Sequence, residues 1–139
     1  MTKTQTLEVS YSSLTSHWKS TDCNKGSGTA QLFYSDVASS SYNREHVWPK
    51  SRAAFLKTAG GSDLHHLRPT DSDINSARLN YTFGNVKEML SNYETESYKG
   101  KTVLWINGSF SDKGKNIGLV EVNDNIKGDV ARILLYVYV

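Results

Sequence analysis

Three segments decide the reading: Tyr42-Asn-Arg-Glu-His-Val-Trp-Pro49, then Asp63-Leu-His-His-Leu-Arg-Pro-Thr-Asp71, then Asn75-Ser-Ala-Arg-Leu-Asn80. Residues 42–49 read as a strand or extended segment that Pro49 terminates. Gly60-Gly61 marks a turn, and residues 63–68 read as a second strand closed by Pro69. Thr70-Asp-Ser-Asp73 has helix-start chemistry, with Thr70 as the cap and Asp73 at the capping-box position. The helix is expected to run to about Tyr81, with Gly84 as its stop signal. Ile74, Ala77 and Tyr81 fall at the 3.6-residue spacing of one buried face, while Asp71, Asn75 and Arg78 share another.

A strand–strand–helix unit of this kind can gather one imidazole, one carboxylate and one amide around a small volume. Phosphodiester cleavage needs those parts. A water must lose a proton near neutral pH, and histidine has the pKa for it, which nominates His46. The transition state gathers negative charge, which a hard divalent cation stabilises. Mg²⁺ takes oxygen ligands and keeps several waters, so Glu45 and Asn75 suffice as protein ligands. Neighbouring strand residues point to opposite faces, so a local irregularity is expected at Glu45–His46. Arg44, Arg68, Arg78 and Arg132 are candidates to bind phosphate as planar forked donors. Arg78 is preferred among them, as a catalytic arginine, because it shares Asn75's helical face.

The same strings, Asn43-Arg-Glu-His-Val-Trp-Pro-Lys-Ser51 through Asn75-Ser-Ala-Arg-Leu-Asn80, closely resemble the bacterial endonuclease I family. Phe83-Gly84 and Lys127-Gly-Asp-Val-Ala-Arg132 also look like family segments. The resemblance covers about residues 42–86 and 118–136. It implies an α+β fold with a ββα-metal (His-Me finger) nuclease core at about 42–84, carrying additional strands and helices, within a single domain over 1–139. By that resemblance His46 matches the general base, and Glu45 and Asn75 match the Mg²⁺ ligands, with Mn²⁺ or Ca²⁺ as binding substitutes. The family implies cleavage of double-stranded DNA, and often RNA, with little sequence preference, by secreted or periplasmic enzymes. Two departures stand out. The loop where some members place a transition-state arginine is short here, and the further segment that usually follows the Lys-Gly-Asp helix is missing.

Outward from this centre the signals weaken. Leu7, Val9 and Tyr11 alternate like a short strand, and Gln31-Leu-Phe-Tyr34 reads as another. Asn85–Leu90 reads as a helix and residues 91–101 as a polar loop. Thr102–Ile106 is a strand followed by Asn107-Gly108 turn chemistry, and Gly118–Val122 is a further strand. Lys127–Arg132 opens a helix with an apolar stripe of Val130, Ile133, Leu134 and Val137. The chain halts at Val139 within that stripe, which reads as a chain cut short or a terminus packed against something further.

Composition sets the outer bounds. The 139 residues carry a net charge of +2 with 37% hydrophobic residues, as in an ordinary globular protein. That charge is compatible with a polyanionic partner without requiring one. No stretch approaches the ~18 consecutive apolar residues of a membrane span. Met1-Thr-Lys-Thr-Gln lacks the apolar core of a leader, so the chain is either intracellular or has had its leader removed. The single cysteine, Cys23, rules out an intramolecular disulfide and reads as a small residue packed in a polar loop. Two other readings stand beside the nuclease: a catalytically incomplete nucleic-acid-binding domain of the same fold, and a zinc protein built on His46, His65, His66 and Cys23. The zinc reading fits no common ligand spacing, and one of His65 and His66 is expected to serve a structural hydrogen bond.

Overall fold

A computed structural model describes residues 11–13, 16–18, 28–52 and 63–138, and the architecture is mixed α+β. Among the described strands, a small hairpin of β1 (Ala30–Gln31) and β2 (Ala38–Ser39) comes first. Then β3 (Asn43–His46) pairs antiparallel with β4 (Leu67–Thr70), and α1 (Ser72–Arg78) follows at once. After β5 (Thr82–Phe83) and α2 (Val86–Met89) come β6 (Glu94–Tyr98) and β7 (Lys101–Asn107). A ribbon of β8 (Ser111–Asp112) and β9 (Lys115–Asn116), then β10 (Leu119–Val122) and α3 (Asp124–Tyr138), complete the chain.

The main sheet has the order β5-β10-β7-β6, with β5 parallel to β10 and the other pairs antiparallel. Thr102-Val-Leu-Trp-Ile106 suits a pleated surface, and Val103 and Leu104 are fully buried in it. The long helix α3 covers this sheet with Ile126, Val130, Ile133 and Val137, spaced by three and four residues and all buried. Each such side chain withdrawn from water contributes roughly 1.5–3 kcal/mol before entropy is counted. The same core takes in Val47 after β3, Ile74 of α1 and Tyr34, so the strand–strand–helix unit and the sheet share one interior. Tyr136 ties them again: its hydroxyl donates to Asp63 Oδ2 at 2.8 Å, at the entry to β4. Burial, reinforced by that carboxylate, pushes the Tyr136 hydroxyl up to about 12. Gly118 (φ +58°) is required where it stands, because a Cβ there would lie 2.1 Å from the ring of Tyr81.

Several expectations need correction. The β3–β4 ladder runs Asn43↔Thr70 to His46↔Leu67 without a shift, so no irregularity marks Glu45–His46. Ordinary strand alternation already buries Glu45, with its partners waiting on that face. Residues 64–66 form a turn, not a strand, because the Asp63 carbonyl accepts from the backbone N–H groups of both His66 and Leu67. Pro69 lies inside β4 instead of closing it, in a two-stranded ladder with an edge to spare. The helix cap is Asp71, not Thr70: its carboxylate accepts from Asp73 N and Ile74 N. The helix stops at Arg78, where Leu79 takes φ +49°, and Gly84 instead lets Leu119 approach.

Residues 94–98, expected as loop, form the edge strand β6, whose alternating Glu96 and Tyr98 are half-buried. Gln31–Tyr34 is the end of β1 and a turn. The final helix begins at Asp124, three residues early. Tyr11 opens a short 3-10 turn, while Leu7, Val9 and Cys23 lie outside the described residues.

Candidate active site

Glu45 is only 2% exposed, yet it is an ionisable group on a four-residue strand. Two donors from elsewhere meet its Oε1: the Tyr34 hydroxyl at 2.7 Å, and Arg78 Nε at 3.2 Å but off hydrogen-bond geometry. Burial pushes the carboxyl up to about 7, against the opposing pull of Arg78 and the Tyr34 hydrogen bond. Burial, with Glu45 next to it, likewise holds the Tyr34 hydroxyl well above its ordinary range. Among the described residues, Glu45 Oε2 receives no hydrogen bond.

Asn75 sits in the second turn of α1, half-buried, and its Nδ2 donates to the Arg44 carbonyl at 3.4 Å. That contact puts the amide against β3 next to Glu45 in sequence, and leaves Oδ1 without a hydrogen-bond partner among the described residues. The donor set left over is therefore one carboxylate oxygen and one amide oxygen. Both are hard ligands, so the residues present fit Mg²⁺ in kind. Among the described residues, no group of three or more His, Cys, Asp or Glu side chains converges as a metal site.

His46 ends β3, half-buried, with its ring in edge contact with His66 at a centroid distance of 5.5 Å. His66 is fully buried and its Nε2 accepts from the Trp48 backbone N–H at 2.8 Å. This contact pins the chain just after His46 to the turn before β4. His65 points away, 75% exposed, with Asp63 as its partner. Trp48 packs against the main core, and His17 is exposed.

The arginines divide differently from expectation. Arg78 is 1% exposed and its guanidinium donates to the Val47 and Leu79 carbonyls at 2.7 and 2.8 Å. It also lies 4.6 Å over the Phe83 ring. Its guanidinium is thus enclosed and turned to backbone carbonyls, not presented on the open surface. Sharing Asn75's helical face was true of the sequence, but that face turns into the protein at residue 78. Arg44 and Arg68 are half-buried on the β3–β4 ladder, Arg68 opposite Glu45 and 5.8 Å from the Phe33 ring. Arg132 is exposed on α3 and paired with Asp129.

Sequence reasoning missed Tyr34 and Arg52. Arg52 clamps the segment after β3 by donating to Thr82 Oγ1 and to the Ile117 carbonyl at 2.9 and 2.8 Å. Neither contact leaves a local signal, since the partners lie 11 to 65 residues away. A 330 Å³ groove between α1 and the β6–β7 hairpin, lined by Ala77, Tyr81, Glu94 and Glu96 among others, includes none of Glu45, His46 and Asn75.

Comparison with known proteins places the chain as a whole. The family model described as Endonuclease I matches residues 2–139. An extracellular ribonuclease of Bacillus amyloliquefaciens is 40% identical over 99 residues, and one of Bacillus subtilis (strain 168) is 39% identical over the same length. Each match covers 70% of this chain but 28% of the relative, so the chain spans under a third of those proteins. No solved structure matches. With nearly its whole length inside the family model, this chain belongs to the Endonuclease I family.

Proposed function

We propose that the chain is a divalent-metal-dependent endonuclease domain of the ββα-metal (His-Me finger) type, hydrolysing phosphodiester bonds in double-stranded DNA and in RNA with little sequence preference. The observation that carries the reading is a pair of oxygens with no hydrogen-bond partner among the described residues, Glu45 Oε2 and Asn75 Oδ1, on two elements joined by the Asn75–Arg44 contact. Glu45 and Asn75 hold Mg²⁺, which supplies Lewis acidity to the phosphate and the departing 3′ oxygen. His46 takes the proton of the attacking water, the role for which an imidazole is suited near neutral pH. Arg44, Arg68 and Arg132 bind backbone phosphates, so affinity falls with salt and depends little on sequence. The names of the two relatives support RNA as a substrate and an extracellular place of action.

The test is cleavage of supercoiled plasmid and of RNA with Mg²⁺ or EDTA, beside His46→Ala. Cleavage that needs Mg²⁺ and drops at least ~100-fold in the variant is expected. Near-normal cleavage by folded His46→Ala sinks the assignment. A second reading, a domain that binds nucleic acid without cutting it, draws on one observation: Glu45 is already ion-paired to Arg78 in the interior. DNA bound by the wild type but left intact in Mg²⁺ would favour it.

A further inference from the structure

Tyr34 lies 11 residues before Glu45 and outside the strand–strand–helix unit, on the turn that links β1 and β2. That hairpin is docked by design of its backbone: Phe33 N donates to the Pro69 carbonyl of β4 at 2.8 Å. The turn is closed by Leu32 N to Val37 O and Asp36 N to Leu32 O, both 2.9 Å, with Asp36 at φ +55°. Gln31 Nε2 donates to Asp36 Oδ1 at 2.9 Å and braces the same turn. The consequence is a tyrosine, 1% exposed, whose hydroxyl reaches Glu45.

Simple core packing explains the ring, which contacts Phe33 and Phe83 at centroid distances of 5.1 and 6.5 Å. It does not explain why the hydroxyl and Arg78 Nε both address Oε1, while no described residue addresses Oε2. A hydrogen bond from Tyr34 and an ion pair with Arg78 on the same oxygen restrain the carboxylate's rotation and leave the other oxygen open among the described residues. Arg78 is itself fixed by the Val47 and Leu79 carbonyls, so it makes a rigid abutment. Resting on the reading of Glu45 as a metal ligand, we infer that Tyr34, with Arg78 behind it, is a positioning residue that holds Glu45 with Oε2 as the metal-ligating oxygen. The β1–β2 hairpin thereby becomes part of the site. Outer partners of ligating carboxylates fix their orientation and govern metal affinity.

The experiment is calorimetric titration of Mn²⁺ into the wild type, Tyr34→Phe and Glu45→Gln, with the Mg²⁺ dependence of cleavage measured alongside. Folded Tyr34→Phe should bind Mn²⁺ about 10–100-fold more weakly. Its rate at saturating Mg²⁺ should return toward the wild-type value, which a general loss of folded protein would not allow. Folded Tyr34→Phe with Mn²⁺ affinity within about twofold of wild type overturns the inference while Glu45 stands as the ligand. Should Glu45→Gln bind Mn²⁺ as the wild type does, the metal-ligand reading itself falls and takes the inference with it. If Tyr34→Phe does not fold, ¹³C-labelled tyrosine in the wild type decides. The Tyr34 resonance should shift on Mg²⁺ addition and stay fixed in Glu45→Gln, and a Tyr34 resonance unmoved by Mg²⁺ in the wild type counts against the inference.

Discussion

Two strand carboxylates, Glu45 on β3 and Glu121 on β10, are buried to 2% and 4% exposure, and they behave in opposite ways. Glu121 is surrounded by donors: Lys87 N at 2.9 Å, Lys127 Nζ at 2.8 Å and Lys87 Nζ at 3.5 Å. Burial raises its carboxyl, yet the hydrogen bonds from Lys127 and the Lys87 backbone overcome that and hold it below the ordinary 4.5. The network continues outward through Lys127 to Asp124 at 2.7 Å, and Lys87 lies 3.9 Å over the Trp105 ring. Among the described residues, Glu45 has one hydroxyl and one misaligned guanidinium nitrogen on a single oxygen, and burial wins. The lesson is that depth alone says little about a buried acid. A fully partnered carboxylate reads as structural, whereas one left half-satisfied is a candidate for the metal-binding role proposed above for Glu45.

The sharpest way to break this comparison is to remove both charges in turn. If Glu45 is the metal ligand proposed above, Glu45→Gln should lose at least ~100-fold in Mg²⁺-dependent cleavage, because a neutral amide is a poor substitute for an anionic ligand. Glu121→Gln should leave cleavage per folded molecule unchanged. Plasmid nicking normalised to folded protein reads both, and equal losses would erase the distinction between the two acids.

Stability should run the other way. Glu121→Gln gives up hydrogen bonds to a charged group and should cost about 1–3 kcal/mol in denaturant unfolding. The pH dependence follows from the sign of its shift. A carboxylate held below 4.5 in the folded state contributes stability that is fully present above that value. The contribution is lost as pH falls through the folded value. Wild type and Glu121→Gln should therefore converge in stability as pH falls below 4.5 and through the lowered folded value, where the wild-type carboxyl protonates. A gap that persists unchanged in acid would mean that packing, not charge, secures Glu121.

Much of the scaffold was legible because its signals are local. The Thr102–Ile106 run and the Val130–Val137 stripe carry the periods of a strand and a helix, and both are observed, each longer than read. The strand–strand–helix order of residues 43–78 was legible too, with its boundaries displaced. Thr70 and Asp71 are both good caps, and only the tertiary position of the backbone selects Asp71. Edge strand β6, Glu-Thr-Glu-Ser-Tyr, hides in polar residues because one of its faces meets water. The burial of Arg78 was not legible, for a deeper reason. Helical periodicity states which residues share a face but not which face meets the core. An arginine is a poor bet for 1% exposure until two backbone carbonyls are known to await it.

The smallest effect concerns Arg132, which lies in Glu121's half of the molecule rather than Glu45's. It is exposed on α3, and its partner Asp129 is also half-exposed, so the pair contributes little to stability. Arg132→Ala should change unfolding free energy by less than about 0.5 kcal/mol. If its guanidinium exchanges Asp129 for a backbone phosphate, the variant should bind DNA more weakly across all sequences. The slope of log affinity against log salt should then fall by about one. An unchanged slope would remove Arg132 from the substrate surface and leave the sheet and α3 as scaffold alone. The division drawn from the two carboxylates would then hold for the whole chain, with binding and chemistry confined to the strand–strand–helix unit.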